Sequence, residues 1–391
     1  MKSSSLMTNH YPVLFGSPDD ISVNRALTEV HSGRPIVITS PRETLLTLPV
    51  ERIDDQRWTA FVRFCAPAAP FLVVTQQRAG VLGLTASAPV ALRLAAGLSA
   101  EQILSVAGDA KLDAGVETQL LDAGPHSPAA TAAIELAKMA QSLPAVLAAS
   151  VPAGWASTVA VPIARVPARA IAGFRRRLPA SLQLAAQSQI PLQGGLSARF
   201  AIFTDMLGRS QTAVIVGQPD FSKPVLVRLH SACLTGDVFG SRRCDCGDQL
   251  GLALVRLQKA GGGIILYLAQ EGRGLGLGNK MRTYRLQDAG LDTVDANTAL
   301  GFEHDERDYL IAARMLKMLG CRRVLLLSNN PAKIVGLGEA GIEVAGSIPL
   351  VTAVTSHNRR YLTAKATRAG HRLGELLKEH ADGGSECTTR R

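Results

Sequence analysis

Three cysteines fall within fourteen residues, in the run Cys233-Leu-Thr-Gly-Asp-Val-Phe-Gly-Ser-Arg-Arg-Cys244-Asp-Cys246-Gly247. This spacing constrains the chain more than any other feature. Three thiolates placed ten residues and then one residue apart can supply three corners of a tetrahedral zinc site. The chain must then fold back on itself between the first and second thiol, and Gly236, Gly240 and Gly247 permit the turns. A fourth corner left to water makes such a site catalytic, because zinc lowers the pKa of bound water towards ~7. A fourth protein ligand, with His230 the nearest candidate, makes it structural. Three buried cysteines without metal is the remaining reading. Cys65, Cys321 and Cys387 are isolated, so the six cysteines do not form a disulfide scaffold, and a reducing compartment is expected.

Three further segments carry chemistry. Gln270-Glu271-Gly272-Arg273-Gly274-Leu-Gly276-Leu-Gly278-Asn-Lys280 follows an apolar run. Its close glycines let backbone N–H groups approach phosphates, and Arg273, Lys280, Arg282 and Arg285 add positive charge. It matches neither a dinucleotide fingerprint nor a Walker loop, and an ordinary Gly-rich turn is the competing reading. Asp305-Glu306-Arg307-Asp308-Tyr309 opens a helical pattern, where acids commonly complement the helix dipole. Ser328-Asn329-Asn330-Pro331-Ala332-Lys333 lies at a strand-to-helix turn. Open α/β sheets bind ligands at such carboxyl ends of strands, and an early helical Lys can reach a phosphate. An Asn-rich turn with a surface Lys is the alternative. Together the segments suggest a zinc-water site beside a phosphate site, hence hydrolysis of a nucleotide.

Charge agrees with an anionic partner. The net charge is +10, of which residues 186–391 carry +7. Aromatics at 4% disfavour a base-stacking surface, so a nucleic acid is not the expected partner. Hydrophobic residues at 47% suffice for a core and exclude a largely disordered chain. The uncharged stretch from Ser142 to Ala164 is broken by Pro144, Pro152 and Pro162. It reads as helix ends and loops rather than a membrane span. The N-terminus lacks the apolar core of a signal peptide.

Ser17-Pro-Asp-Asp reads as a capped helix start, and residues 35–39 and 70–75 read as buried strands. Ala129 to Ala140 reads as a helix. Pro162 to Pro191, with Arg175-Arg176-Arg177, has a linker composition, and the triple Arg reads as a solvated face. From Leu196 onwards strand and helix patterns alternate, which predicts an α/β layered domain. Strands are expected over 198–204, 212–217, 225–230, 263–267 and 323–327. Helices are expected over 251–260, 308–319 and from Ala332.

His230-Ser-Ala-Cys-Leu-Thr-Gly-Asp, Arg243-Cys-Asp-Cys-Gly-Asp-Gln249-Leu, Gln270-Glu-Gly-Arg-Gly, Leu286-Gln-Asp-Ala-Gly-Leu-Asp-Thr-Val, Ala296-Asn, Leu300-Gly-Phe and Ser328-Asn-Asn-Pro-Ala-Lys resemble the motifs of GTP cyclohydrolase II, in that family's order from about Leu196 to Leu373. The resemblance implies conversion of GTP to 2,5-diamino-6-ribosylamino-4(3H)-pyrimidinone 5′-phosphate, formate and pyrophosphate, the first step of riboflavin synthesis. It implies one zinc per subunit on Cys233, Cys244 and Cys246, activating water for attack on the guanine C8. It gives Arg307 the attack on the α-phosphate, Asp305 the role of its base, and Tyr284 assistance to the second hydrolysis. Arg228, Gln249, Glu271, Gly272, Arg273, Thr293, Ser328 and Lys333 take the family's substrate contacts. Magnesium with the triphosphate, a homodimer and a cytoplasmic location are also implied. Three positions depart from the family pattern. Ala232 stands where Glu is usual, Ser328 where Thr is usual, and Gly278 where a larger residue is common.

In the first half, Ala26 to His31, Gly33-Arg34-Pro35-Ile-Val-Ile and Val73-Val-Thr75 with Arg78-Ala-Gly-Val-Leu-Gly83-Leu weakly resemble 3,4-dihydroxy-2-butanone 4-phosphate synthase. That family's acidic signature should follow the first strand, where this chain reads Thr39-Ser-Pro-Arg-Glu-Thr-Leu-Leu. Without clustered carboxylates no magnesium site is expected, so this half reads as degenerate and non-catalytic. The expected organisation is a synthase-like domain with linker over 1–185, the cyclohydrolase domain over 186–380 and a flexible tail over 381–391. The expected fold class is α/β, a layered mixed-sheet domain preceded by a smaller α+β domain. Two other readings fit the residues: a paralogue that opens the guanine ring but releases a formylated product, and a non-enzymatic zinc- and nucleotide-binding protein.

Overall fold

A computed structural model gives the fold. The structure describes residues 16–110, 118–120 and 127–355, with residues 14, 358, 363, 366 and 368. The tail expected over 381–391 lies outside them. Two compact units emerge, and they do not follow chain order. The first comprises Met1–Arg177, Gly278–Leu291 and Asp295–His304. The second comprises Leu178–Leu277, Asp292–Val294 and Asp305–Arg391.

The first unit opens with α1 (Pro18–His31), where the Ser17 hydroxyl caps Asp20 N and Pro18 takes the first helical position. There follow β1 (Ile36–Thr39), β2 (Thr44–Pro49), α2 (Asp55–Cys65), β3 (Phe71–Val74), α3 (Gln76–Val81), β4 (Val90–Leu94), α4 (Ala100–Gly108), β5 (Thr118–Leu120), α5 (Pro128–Met139), β6 (Ala145–Ser150), β7 (Ala164–Pro167) and α6 (Ala168–Arg177). The strands form one mixed sheet in the order β5-β4-β3-β6-β2-β1-β7, with only β1 and β7 parallel. β6 sits centrally with five of its six residues buried. The uncharged stretch from Ser142 thus contains a core strand, not only helix ends and loops. Its apolar run is bounded by Pro144 and Pro152 and yields only the six residues of β6, the length of a strand rather than of a typical helix.

The expected linker over 162–191 is also structured. Pro167 ends a strand, and the triple Arg forms the last turn of α6, where cations complement the dipole. Arg175 pairs with Glu135 and Arg177 with Asp20, so the triple Arg is a solvated face laced with ion pairs.

The second unit holds β8 (Gln183–Pro191), β9 (Ser197–Thr204), β10 (Ser210–Gly217), β11 (Val225–Ser231), α7 (Leu234–Asp237), α8 (Cys246–Lys259), β12 (Gly262–Leu268), α11 (Tyr309–Met318), β13 (Arg323–Leu327), α12 (Pro331–Glu339) and β14 (Glu343–Ile348). Between β12 and α11 the chain forms α9 (Leu277–Asp288) and α10 (Thr293–Ala299), most of which belongs to the first unit. The sheet order is β14-β13-β11-β12-β10-β9-β8. β11 runs parallel to both β12 and β13, and β13 to β14, while the other pairs are antiparallel.

Side chains alternate cleanly across this sheet, as the two-residue strand period requires. Ala213, Ile215, Ile264 and Leu266 face Ala312, Met315 and Leu337 of α11 and α12. Val214, Val216 and Ile265 face Ala253 and Leu257 of α8. Both sheets are mixed and covered by helices, in agreement with the expected α/β class. Among the described residues, no helix is long and apolar enough to cross a membrane.

Candidate active site

The three adjacent parallel strands β13, β11 and β12 deliver the expected segments at their carboxyl ends. β11 ends at Ser231 just before Cys233, β12 at Leu268 just before Gln270 and Glu271, and β13 at Leu327 just before Ser328. This is where open α/β sheets bind ligands.

Cys233, Cys244 and Cys246 converge, their sulfurs all within 4.8 Å of one another. Cys233 Sγ and Cys244 Sγ are 3.6 Å apart. Tetrahedral zinc with Zn–S bonds near 2.3 Å sets its sulfurs about 3.8 Å apart, so the thiol set fits the ion. The Cys244 thiol is pushed up in pKa, first by its hydrogen bond with Cys233. Three thiolates in this space require a compensating cation. A Cβ on Gly236 would fall 2.8 Å from Cys244 Sγ and 3.1 Å from Cys233 Sγ, so only glycine leaves room above the thiols. Gly247 is equally constrained, since its Cβ would meet Gly236 O at 2.4 Å.

His230 is not a fourth ligand, and among the described residues no His, Asp or Glu joins the thiol group. Its Nε2 lies 3.0 Å from Asp237 Oδ1, with both side chains almost fully buried. Burial holds the imidazole below its ordinary pKa, against the pull of Asp237, so it is neutral at pH 7. Asp237 Oδ2 also accepts from Cys233 N at 2.9 Å and Tyr267 OH at 2.9 Å. Tyr267 stacks on His230 with centroids 5.5 Å apart. Asp237 therefore fixes the backbone of the first thiol from β11 and β12. The sequence reading assigned it nothing, although an acid four residues after Cys233 was the available signal.

Arg228 projects from β11 towards α8, opposite in side to Val227 and Leu229. It donates to Leu327 O at 3.0 Å and to Gln249 Oε1, and Gln249 Nε2 donates to Asp245 Oδ2 at 2.5 Å. Burial brings Arg228 down to about 10, so it remains charged at neutral pH. The buried Asp245, between two of the thiols, is a further residue the sequence reading passed over.

Glu271 Oε2 accepts from Leu234 N at 2.8 Å and so ties the Gly-rich loop to the first cysteine. The loop turns through the left-handed region at Gly272 (φ 62°), Arg273 (φ 64°) and Gly274 (φ 95°). Arg273 O accepts from Glu306 N at 3.1 Å, which sets this loop beside Asp305 and Arg307. These two form a fork: Arg307 Nε is 2.7 Å and Nη2 2.5 Å from the Asp305 carboxylate. Burial pushes Asp305 up, but the Arg307 bonds and charge outweigh it and hold the carboxyl below its usual range. Asp305 precedes the helix and does not complement its dipole; Asp308 caps α11 instead, accepting from Leu310 N at 2.7 Å. A Cβ on Gly274 would meet Glu306 O at 2.8 Å and Glu306 C at 2.9 Å. Gly274→Ala is therefore expected to part the Arg273 and Arg307 segments and to cost about 2 kcal/mol, read by urea denaturation.

Lys333 is buried and its Nζ donates to Leu229 O at 2.7 Å. Ser328 Oγ accepts from Asn330 N at 3.0 Å, and Asn330 caps α12 through Ala332 N. Asn329 pins Leu350 through both its amide atoms. The turn is thus a capped, cross-linked element with an inward Lys rather than a surface Asn-rich turn. Thr293 opens α10 in the second unit. Tyr284 lies on α9 in the first unit, with Lys280 Nζ 5.7 Å from its ring centre.

The family model for GTP cyclohydrolase II matches residues 183–349, which span the second sheet and all the segments above. A GTP cyclohydrolase-2 of Azospirillum brasilense is 40% identical over 365 residues, covering 90% of this chain and 93% of its own. One from Xylella fastidiosa strain 9a5c is 36% identical over 375 residues, covering 94% and 91%. One from Azotobacter vinelandii is 47% identical over 196 residues, covering 50% of this chain but 94% of its own. With a family model matched across the site and full-length relatives at this identity, the chain belongs to the GTP cyclohydrolase II family of enzymes.

Proposed function

We propose that the protein is a zinc-dependent GTP cyclohydrolase II of riboflavin biosynthesis, releasing formate and pyrophosphate and leaving 2,5-diamino-6-ribosylamino-4(3H)-pyrimidinone 5′-phosphate. The observation that carries this reading is the convergence of three thiols at the carboxyl end of β11 with the Arg273 loop and the Asp305–Arg307 pair of the same unit. Cys233, Cys244 and Cys246 would hold a zinc ion, which would supply Lewis-acid activation of water at neutral pH. Asp237 and Glu271 hold the backbone that carries the first of these thiols. Arg228, held by Gln249 and Leu327 O, brings a fixed positive charge to a purine nucleotide. Gln249, Gly272, Arg273, Thr293, Ser328 and Lys333 complete the substrate contacts, with magnesium on the triphosphate. Arg307 attacks the α-phosphorus as the bond to the β-phosphate oxygen breaks and pyrophosphate leaves. The guanidinium proton passes to Asp305, which is ionised beforehand, and water then cleaves the N–P bond, freeing the nucleoside 5′-phosphate and restoring Arg307. Tyr284 assists the second hydrolysis, and the working form is a homodimer.

The amino-terminal region carries no synthase activity in this reading. Among the described residues the three thiols are the only candidate metal group. Glu43, the one acid in the segment where the synthase signature belongs, is used in the fold. It accepts from Ser127 Oγ at 2.5 Å and Ala129 N at 3.1 Å, at the start of α5. The test incubates the full chain, zinc and magnesium with GTP, and separately with ribulose 5-phosphate, and identifies products by mass. Pyrimidine, formate and pyrophosphate from GTP, and nothing from ribulose 5-phosphate, are expected. A formylated product, or no turnover of GTP, overturns the cyclohydrolase reading; a butanone phosphate overturns the inactive-domain reading.

A further inference from the structure

Among the described residues Arg78 is the largest fully buried side chain, with 1% of its surface exposed, and none of its hydrogen bonds among them goes to a carboxylate. Its guanidinium instead donates to four backbone carbonyls. Nε reaches Val106 O at 2.8 Å and Nη2 reaches Ser105 O at 2.8 Å. Nη1 is shared between Asp109 O at 2.7 Å and Ala299 O at 2.8 Å. The first three carbonyls end α4, and Ala299 is the last residue of α10. Helix carboxyl ends expose unpaired carbonyls and carry partial negative charge, so two of them compensate the buried cation. One side chain thus locks a helix of the cyclohydrolase motif segment onto the amino-terminal fold.

The same segment is fastened along its length. Asn279, fully buried, donates to Gln141 O at 3.0 Å, and Gln141 itself holds a left-handed φ of 55°. Arg282 pairs with Glu51 at 2.5 Å and Arg285 with Asp109 at 2.6 Å. Gln77 bonds Glu303. A Cβ on Gly301 (φ 85°) would meet Thr75 Oγ1 at 2.8 Å. The chain leaves the second unit at Gly278 and, apart from Asp292–Val294, returns at Asp305. Both ends of this excursion are site residues: the Arg273 loop runs into α9, and Asp305 follows His304 directly. Arg273 O and Glu306 N are hydrogen-bonded across its neck. Whatever fixes the body of the excursion restricts where its two ends can go.

We propose that the amino-terminal region serves as a clamp for residues 278–304, with Arg78 as the positioning residue, and that through this excursion it sets the Arg273 loop and the Asp305–Arg307 pair. The region thereby acts in GTP hydrolysis without touching substrate. The Azotobacter relative aligns over 94% of its own length with only 50% of this chain. The turnover arm of the test rests on the cyclohydrolase reading; the exchange arm does not.

The test measures amide hydrogen exchange and GTP turnover in the full chain carrying Arg78→Met, with zinc content as a control. Exchange across 295–304 is expected to rise about tenfold while β11 and β12 keep their protection. The kcat is expected to fall about tenfold or more, with zinc content unchanged, because a small displacement of reacting groups is costly. Should Arg78→Met fail to fold, Glu51→Arg, at a half-exposed ion pair, is read the same way over 278–288. Adding Arg282→Glu to it is expected to restore both exchange and kcat. Wild-type exchange over the excursion overturns the clamp. Faster exchange with wild-type kcat overturns its role in the reaction. Failure of the double variant to restore either overturns the assignment to these contacts. If the wild-type chain itself turns over no GTP, the cyclohydrolase reading fails while the exchange result still decides the clamp.

Discussion

Replacing Cys244 by serine is expected to strip the protein of zinc and to lower GTP turnover by about three orders of magnitude. A serine hydroxyl is a weak, hard ligand, whereas a thiolate is soft and readily ionised next to zinc. The two remaining thiols cannot complete a three-thiol set. Cys244 Sγ lies 3.6 Å from Cys233 Sγ, and among the described residues no His, Asp or Glu joins the thiol group to take its place. Metal analysis of the purified variant and a GTP assay check both halves. Gly236→Ala provides an independent arm that leaves all three ligands in place. Its methyl would stand 2.8 Å from Cys244 Sγ, within a loop that Gly247 locks from the other side. Metal retention should fall here as well, by steric exclusion alone. Full zinc content in both variants would show that the thiols do not form the metal centre.

The cysteine site was legible because its chemistry resides in residue identity and local spacing. Few alternatives exist for three thiols that close together. β13 was legible at its exact bounds for a related reason: Arg323–Leu327 is a short apolar run closed by polar residues and a turn. Legibility failed where tertiary context overrides local composition. Every residue of β8 is exposed, and the strand exists because its backbone pairs with β9, which no hydrophobic pattern reports. Arg175 to Arg177 look like linker charge until the last turn of α6 meets Glu135 and Asp20. The reading of Lys333 as a surface cation in an Asn-rich turn fails because the residue is buried, its ammonium donating to Leu229 O from 104 residues away. Arg78 passed unnoticed inside a weakly matched motif, because its four carbonyl partners come from segments up to 221 residues away.

Asp237 shows the same limit with the largest stability consequence. An acid in a Gly-containing loop is common, and its place four residues after Cys233 is the one local sign that this one matters. The fold makes it the acceptor for three buried donors: Cys233 N–H, Tyr267 O–H and His230 Nε2. Its side chain is 3% exposed, so no water replaces a lost partner. Asp237→Ala is expected to destabilise the protein by about 4 kcal/mol, the usual cost of orphaning a buried polar group of this kind. For a unit of this size that corresponds to a fall of roughly 10 °C in Tm. Tyr267→Phe removes one donor and leaves two, and should cost only about 1 kcal/mol. The contrast separates a network centred on the carboxylate from simple packing of the stacked rings, which lie 5.5 Å apart in both cases before substitution. Zinc affinity should follow the same order, since Asp237 accepts from the Cys233 amide at 2.9 Å and also anchors Tyr267 and His230 beside it. Equal losses in the two variants, by thermal denaturation and zinc titration, would place the support of the first thiol in the ring stack instead.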